Sequence, residues 1–254
     1  MRIEDFVAVM EELAPPERAL AFDNVGLLIG PEKREIKRVL VALDCTAQTA
    51  LEAAEAGAQL LLTHHPVFFH GVKHILPDDP DTAGAYTLIR NGVGLYAAHT
   101  NLDAAAGGVN DALAEAIGVT GVELLPPENL GRIGQLAESV ELREYARRIE
   151  ASLHAVVRVC GDGGRQITRV ALVGGAGGDA VLDAARAGAD ALVTGECNHH
   201  HALAAMQLGL CVIEAGHYET ERVVLPKLIE RLQRRTNDVQ YSLTLLERAC
   251  LGGM

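Results

Sequence analysis

RVLVALDCTAQTALEAAEAGAQLLLTHH, residues 38–65, is matched without a gap by RVALVGGAGGDAVLDAARAGADALVTGE, residues 169–196. Both stretches show the pattern of an apolar strand, a turn, an alanine-rich helix that ends at a glycine, and a second apolar strand. The two strands of such a unit are expected to lie parallel, because a helix carries the chain back between them. The chain therefore contains the same βαβ unit twice.

Each copy of the repeat is followed by more helices and strands in alternation. A predicted helix comes first, DTAGAYTLIRNG (81–92) in the first copy and HALAAMQLG (201–209) in the second. A predicted strand follows, VGLYAAHT (93–100) and LCVIEAGH (210–217). Another predicted helix comes after it, GGVNDALAEAIG (107–118) and ERVVLPKLIERLQRR (221–235). This order predicts an α/β fold: two similar lobes related by the internal repeat, with mostly parallel sheets flanked by helices.

The boundary between the lobes is expected near residue 127. LLPPENLGRIGQL (124–136) has the proline and glycine content of a linker, and residues 138–154 after it have the period of an amphipathic helix. We expect a first lobe over residues 1–126 and a second over residues 127–254, with a metal site between them.

Composition excludes several classes of protein. A chain of 254 residues that is 49% hydrophobic and 22% charged is typical of globular proteins, and a net charge of −12 makes nucleic acid an unlikely partner. Five cysteines without a CxxC pair favour reduced thiols over a disulfide framework. The first 20 residues lack a signal-type apolar core and no apolar run is long enough to span a membrane, so we expect a cytoplasmic protein.

Histidines and carboxylates follow the strands of both lobes. The first lobe has His64 and His65 at one strand end and His99 with Asp103 beyond another, and the second has His217 and Glu221 at the matching place. Functional groups of parallel α/β sheets gather at the carboxyl ends of strands. If a helix begins at residue 217, His217 and Glu221 share one of its faces, whereas Glu219 points away.

These residue types predict a pair of metal ions. Imidazole and carboxylate together suit Zn, Fe or Mn, and the candidates outnumber the three protein ligands that one catalytic zinc commonly takes. Ions of a two-metal site lie about 3.5–4 Å apart and can share a carboxylate, for which Asp103 or Glu221 is the candidate. Because neighbouring side chains at a strand end diverge, His64 and His65 are each expected to bind a different ion.

Other polar motifs have less specific explanations. His199, His200 and His201 begin a predicted helix and fit a solvated helix face, although His199 or His200 could reach the site as a substrate-binding or supporting group. GGAGGD (174–179) fits a tight turn better than a phosphate-binding loop, because it lacks the spacing and lysine of a P-loop. His70 and His74 lie in a predicted loop.

LTHHPVFF (62–69), AHTNLDAAAGGVNDALA (98–114), TGE (194–196) and AGHYETER (215–222), in this order, resemble the dinuclear-metal-centre proteins known as GTP cyclohydrolase 1 type 2 homologues, or NGG-interacting-factor-three-like proteins. The resemblance extends from FDNVGLLIG (22–30) to residue 222. It implies a two-lobed α/β subunit in a toroidal hexamer, with metal ligands His64, His65, Asp103, His217 and Glu221. It places His99 in the same pocket, where it would support the ligands or carry a proton.

Two functions are consistent with these residues. The first is a metal-dependent hydrolase that acts on a nucleotide or related small molecule, with GTP as the candidate that the resemblance suggests. Lys73 or Arg222 could then contact phosphate groups. The alternative is a metal-binding ring without turnover, acting as an adaptor, metal chaperone or regulatory protein, since activity belongs to a site and not to a fold.

Overall fold

The computed structural model describes residues 1–247 and 249–250. Its strands are β1 (Gly26–Ile29), β2 (Arg38–Ala42), β3 (Leu60–Thr63), β4 (Gly94–Ala97), β5 (Thr120–Leu124), β6 (Arg132–Glu141), β7 (Arg158–Cys160), β8 (Gln166–Val173), β9 (Ala191–Thr194), β10 (Cys211–Glu214) and β11 (Gln240–Leu243). Its α-helices are α1 (Ile3–Leu13), α2 (Ala47–Glu55), α3 (Ala83–Arg90), α4 (Thr100–Ala104), α5 (Val109–Ala116), α6 (Leu142–Leu153), α7 (Val181–Arg186), α8 (His199–Leu208), α9 (His217–Glu221) and α10 (Val224–Gln233).

The repeat folds as predicted in both copies. Strands β2 and β3, which precede and follow α2 in the chain, pair in parallel. Strands β8 and β9, which precede and follow α7, do the same. Gly57 and Gly188, which follow the two helices, have φ of 66° and 75°. This left-handed conformation ends a helix at low cost only for glycine, which explains the shared residue.

The first compact unit comprises residues 1–106 and 225–247. Its sheet has the order β1-β4-β3-β2-β11, with three parallel pairings and one antiparallel pairing, between β1 and β4. Strands β3 and β4 are buried along their whole length. Burial on both faces explains why LLLT (60–63) is a continuous apolar run without alternation.

The second compact unit comprises residues 107–224, together with a C-terminal stretch that is mostly outside the described residues. Its sheet has the order β5-β6-β8-β9-β10-β7. Along β8, Val170 and Leu172 belong to one apolar cluster, whereas Ala171 and Val173 belong to another. Since alternate side chains of a strand point to opposite faces, this sheet has a packed core on each side.

Both sheets lie in an α/β fold, as expected, but their strand directions differ in detail. The second sheet is mixed, with parallel pairing confined to β8, β9 and β10 and antiparallel pairing at β5, β6 and β7. The expectation of mostly parallel strands is therefore wrong for this sheet. For β5 and β6 the reason is local: the connection over residues 125–131 is too short for the crossover that parallel neighbours need.

The predicted boundary at residue 127 is also corrected. Residues 107–126 form α5 and β5, which belong to the second unit, and residues 225–247 return to the first. Within the predicted linker, residues 132–136 begin β6, and Ile133 is 4% exposed. The predicted helix over 138–154 begins at Leu142, because residues 138–141 complete the same strand.

Candidate metal centre

The predicted site residues of the first unit follow two neighbouring parallel strands at their carboxyl ends, and an acid that was not predicted follows a third. His64 and His65 come directly after β3, and His99 caps the N-terminus of α4, which carries Asp103 and follows β4. Asp44 lies two residues beyond the end of β2. Strand order thus brings these side chains to one edge of the sheet.

The three imidazoles of this unit form a compact cluster. The ring centroid of His64 lies 4.9 Å from that of His65 and 5.1 Å from that of His99, and the last two are 5.5 Å apart. One ring nitrogen of each residue lies within 4.8 Å of those of the other two. Asp103 Oδ1 is 3.6 Å from His64 Nε2. The structure therefore groups the four predicted residues of the first unit.

Each imidazole of the cluster is held through its Nδ1 atom by an oxygen acceptor. His64 Nδ1 is 2.8 Å from the carbonyl oxygen of Ala98, and His65 Nδ1 is 2.9 Å from Asp44 Oδ1. His99 Nδ1 is 2.9 Å from an Asp23 oxygen. Because carbonyl and carboxylate oxygens accept, Nδ1 carries the hydrogen in each ring and Nε2 is left as the basic nitrogen.

Asp23 is the most strongly anchored of these acceptors. Its side chain is fully buried, and its carboxylate accepts hydrogen bonds from His99 Nδ1, from the backbone amide of Thr100 at 3.0 Å and from the Thr100 hydroxyl at 2.5 Å. Burial would raise the pKa of Asp23, but the hydrogen bonds from His99 and Thr100 outweigh it and hold the pKa well below its ordinary value. Asp23 is therefore a fixed anion behind His99.

The predicted residues of the second unit occupy the corresponding place in its sheet. Helix α9 follows β10 and begins at His217, and Glu221 lies one turn later, with its Oε1 atom 3.1 Å from His217 Nε2. The shared face that the spacing predicts is therefore present. Glu196, which follows β9, accepts from His217 Nδ1 at 2.8 Å. Glu219 instead packs back against Gly216.

The glycine-rich loop at residues 174–179 makes room for this pair. A Cβ atom on Gly175 would lie 2.1 Å from Glu221 Oε1 and 3.1 Å from His217 Nε2. The loop amides of Gly174, Gly175 and Gly177 donate to Asn110, Thr220 and Thr194 side chains, at 2.9, 3.0 and 3.0 Å. GGAGGD is therefore a tight turn, as the sequence favours, and these amides are used within the protein.

The donor chemistry of both groups fits divalent metal ions. With Nδ1 of His217 donating to Glu196, a neutral imidazole turns its Nε2 lone pair toward the Glu221 carboxylate, and His64 does the same toward Asp103. Two acceptors this close repel each other unless a proton on Nε2 or a metal ion bound to both lies between them, and a divalent ion meets this condition. Two ligands of one tetrahedral zinc, with bonds of about 2.0–2.1 Å, lie roughly 3.3 Å apart. The separations of 3.1 and 3.6 Å are close to that value.

The remaining candidate residues lie elsewhere. His199 and His200 are exposed at the start of α8, which agrees with a solvated helix face, and His201 Nε2 is 2.9 Å from Asp179 Oδ1. His70 and Lys73 are exposed, and so is His74, which pairs with Asp79. The Arg222 guanidinium lies over the Tyr218 ring, 5.6 Å from its centroid, and donates to the Leu153 carbonyl.

Sequence reasoning gave no role to the acids that orient the histidines. Asp44 and Glu196 each come two residues after a strand, so their position at the strand ends was a usable signal. Asp23 lies in FDNVGLLIG before β1, in a stretch that carried the resemblance without a role. Its contact with His99 joins residues 76 positions apart, which sequence periodicity does not reveal.

An α/β protein with histidines and carboxylates grouped at the strand ends, and with three of those histidines backed by acids, belongs to the class of candidate metal-binding proteins. No helix in the part of the chain that the structure describes has both the length and the apolar character needed to cross a bilayer. The chain belongs to the Duf34/NIF3 (NGG1p interacting factor 3) family, whose model matches residues 1–249. The predicted resemblance is confirmed.

Relatives cover nearly the whole chain. A protein of Clostridium perfringens named GTP cyclohydrolase 1 type 2 homolog is 35% identical over 249 residues, which is 95% of each chain. Protein NIF3 homolog of Schizosaccharomyces pombe is 36% identical and covers 84% of this chain and 82% of its own. The crystal structure of a Staphylococcus aureus hypothetical protein has a TM-score of 0.91 and 27% identity, and the match covers 100% of this chain and 99% of that one. The α/β fold is therefore that of this family.

Proposed function

We propose that this chain is a dinuclear metal-binding protein and a metal-dependent hydrolase of a nucleotide or related small molecule. His64, His65 and Asp103 of the first unit and His217 and Glu221 of the second would supply the ligands of two divalent ions, Zn, Fe or Mn. The same proposal places His99 in the pocket. In the Clostridium perfringens relative, the name refers to GTP, which makes GTP the first substrate to test.

One observation carries the proposal: the Nδ1 atoms of His64, His65 and His217 all donate to fixed oxygen acceptors. Protein histidines that bind metal almost always donate their other ring N–H in this way, because the acceptor fixes the tautomer and raises the basicity of the ligand nitrogen. Asp44 and Glu196 accept from His65 and His217, whose rings are the more exposed, whereas buried His64 donates to a backbone carbonyl.

The chain's own residues would have two tasks in catalysis, and the bound ions would supply a third. The acceptors described above hold each ligand ring in one orientation before substrate arrives, which lowers the cost of reaching the reactive arrangement. Asp103 and Glu221, which are 11% and 5% exposed, supply negative charge in a place with little water. Divalent ions bound there would act as Lewis acids that activate water and polarise the substrate.

The test combines metal analysis with a screen for turnover. Protein purified without oxygen should contain two ions per chain, and mass spectrometry should show consumption of a nucleotide, with GTP tested first. Asp103→Ala or Glu221→Ala should each remove at least one ion and reduce turnover at least about 100-fold, since a metal hydrolase depends on its ions. Glu230→Ala, at an exposed glutamate paired with Arg234, is the matched control and should change neither.

The outcomes separate the two functions. Turnover that survives in a metal-free variant would contradict the hydrolase mechanism. Two ions per chain with no nucleotide consumed would favour the metal-binding ring without turnover. The hexamer that the resemblance implies and the cytoplasmic location that the sequence suggests stay predictions, and light scattering would test the hexamer.

A further inference from the structure

We infer that the first unit has a small-molecule site apart from the metal centre, a cavity at the amino end of its sheet that binds a sugar phosphate through Arg38. The cavity has a volume of about 530 Å³ and lies beside the first residues of β2 and β11. Ligand pockets generally measure about 300–1,000 Å³, so this one has room for a sugar phosphate. The inference goes beyond the proposed metal binding and hydrolysis and does not depend on either.

The cavity lies at the edge of the sheet opposite the candidate metal centre. Strands β2 and β11 pair in parallel with Arg38 beside Gln240, so their amino ends are adjacent. The metal-centre residues of this unit follow the carboxyl ends of strands in the same sheet. Strand β2 is five residues long, and a rise of about 3.3 Å per residue separates its two ends by about 13 Å. A small molecule bound at the metal centre therefore does not fill this cavity.

The cavity is lined by polar side chains that the protein itself does not use. Gln240 and Ser242 alternate along β11 and face the same side of the sheet, and Gln233 comes from the end of α10. Within the described part of the chain, these three side chains form no hydrogen bond with the protein. Two amides and a hydroxyl offer both donors and acceptors, as the hydroxyl groups of a sugar require. Ala56 and Ala58 add a small apolar wall.

Arg38 supplies a positive charge at this cavity. Its Nη1 atom donates to the Ala56 carbonyl at 3.2 Å, which holds the guanidinium beside the C-terminus of α2. A guanidinium has five N–H donors, so others stay available to bind two oxygens of one phosphate in the paired geometry that arginine favours. Among the residues that the structure describes, no carboxylate forms an ion pair with Arg38.

The two copies of the repeat differ in the group that neighbours this arginine. In the second copy, Asp190 accepts from two backbone amides of β8, both at 2.9 Å. Gln59 is the matching residue of the first copy, and its Oε1 atom accepts from the amides of Lys37 and Arg38, at 2.8 and 3.0 Å. Gln59 thus makes the same backbone contacts without a negative charge. The first unit thereby leaves the charge of Arg38 available to a bound anion.

The chain on both sides of the cavity is basic, although the whole protein has a net charge of −12. Residues 33–38, KREIKR, lead into β2 and have four basic residues and one acid. Residues 230–235, ERLQRR, include the end of α10 and have three basic residues and one acid. This local excess of positive charge favours an anionic ligand at this edge of the first unit.

Calorimetric titration of the full-length protein tests the inference, with ribose 5-phosphate, ribose and inorganic phosphate as separate probes. Ribose 5-phosphate should bind with a dissociation constant below about 1 mM, and at least about 10-fold more tightly than either fragment, because the cavity contacts both parts. Arg38→Met should weaken binding at least about 10-fold, since charge-assisted hydrogen bonds are lost. Ala56→Leu, which fills the cavity, should weaken it as much. Gln59→Glu, which gives the first unit the charge of the second, should weaken it about 3-fold or more.

The matched control is Arg34→Met, which removes the same charge from the same stretch. Arg34 pairs with Glu4 and does not line the cavity, so this variant should bind ribose 5-phosphate as the wild type does. Equal weakening in Arg34→Met and Arg38→Met would indicate attraction to a charged surface and would contradict a defined site. The inference is also wrong if phosphate alone binds as tightly, or if Arg38→Met and Ala56→Leu, shown to be folded by circular dichroism, keep wild-type affinity. Binding that is lost after EDTA treatment and dialysis would place the ligand at the metal centre and overturn the inference as well.

Discussion

At the scale of single residues, the candidate site depends on a position that has no side chain. Gly175 has a φ of 64°, and a Cβ atom there would approach Glu221 Oε1 to 2.1 Å. The close approach of backbone to a functional carboxylate is one of the situations that only glycine allows. The Glu221 carboxylate is 5% exposed, so it has little room to move away.

Gly175→Ala should therefore displace Glu221 and lower the metal content of the protein. Left-handed backbone costs alanine roughly 1 kcal/mol wherever it occurs, so the control needs the same strain without the clash. Gly188→Ala supplies it, because Gly188 has a φ of 75° and nothing lies within 4 Å of its Cβ position. Plasma mass spectrometry of the two variants is the measurement. Equal metal content in both would show that Gly175 matters only for its backbone.

Residue types at the strand ends were predictable, and their orientation was not. His64, His65, Asp103, His217 and Glu221 stand out because the repeat places their segments at equivalent strand ends. Gly175 was read only as part of a turn, since a sequence pattern does not show which side chain fills the space beside a glycine. Asp23 was missed because its partner His99 is distant in sequence.

At the scale of elements, helix α3 packs so closely against the chain that leads into α2 that a glycine is needed at the contact. Gly84 lies in the first turn of α3, and a Cβ atom there would be 2.3 Å from the carbonyl oxygen of Cys45, which leads into α2. Burial, with a contribution from neighbouring Asp44, raises the pKa of the Cys45 thiol to about 12. The atom in this contact belongs to the backbone, so it cannot rotate away from a Cβ atom as the end of a flexible side chain could.

Gly84→Ala should destabilise the protein although alanine is the better helix former. The intrinsic gain is about 1 kcal/mol, whereas overpacking against backbone costs roughly 1–3 kcal/mol and forces the helices apart. A net loss of about 1 kcal/mol lowers the melting temperature of a chain of this size by roughly 2–4 °C, which calorimetry can resolve. Gly30→Ala is the control, since nothing lies within 4 Å of its Cβ position. An unchanged or raised melting temperature for Gly84→Ala would contradict this packing argument.

The elements that periodicity predicted best were those with the strongest apolar pattern. Helices α2 and α7 and the strands beside them match the repeat closely. Strand β6 was the main failure, because the prolines and glycines of LLPPENLGRIGQL (124–136) gave this stretch the composition of a linker. In the structure, a Cβ atom on Gly134 would lie 2.6 Å from the Thr120 carbonyl oxygen, so this glycine lets the neighbouring strand approach.

At the scale of the whole molecule, the C-terminal part of the chain completes the first unit. Strand β11 pairs in parallel with β2, from Gln240 beside Arg38 to Leu243 beside Val41. No local sequence pattern predicts that a strand pairs with residues some 200 positions earlier. The predicted boundary at residue 127 therefore assigned residues 225–247 to the second lobe, whereas they belong to the first unit. The cost of closing such a long loop grows only slowly with its length.

The C-terminal segment of the first unit, residues 225–247, also places Glu247 behind the candidate site. Its carboxylate accepts hydrogen bonds from the backbone amides of Leu43, at 2.8 Å, and Asp44, at 2.6 Å. Asp44 in turn holds His65 through Nδ1. Burial raises the pKa of Glu247, and the two backbone hydrogen bonds act in the opposite direction. The C-terminal segment thus fixes the backbone from which one histidine is oriented.

Glu247→Ala should loosen the turn at Leu43 and Asp44 while the sheet stays intact. Two backbone amides lose a charged acceptor, and each such hydrogen bond contributes about 1.5–3 kcal/mol, so their hydrogen exchange should accelerate at least about 10-fold. Amides of β3 should exchange at the wild-type rate, because their partners in β2 and β4 are untouched. The metal affinity at His65 should fall by about 10-fold or more through the freed Asp44. Glu230→Ala serves as the exposed control, and exchange at Leu43 and Asp44 that is equally slow in both variants would show that the C-terminal segment does not restrain this turn.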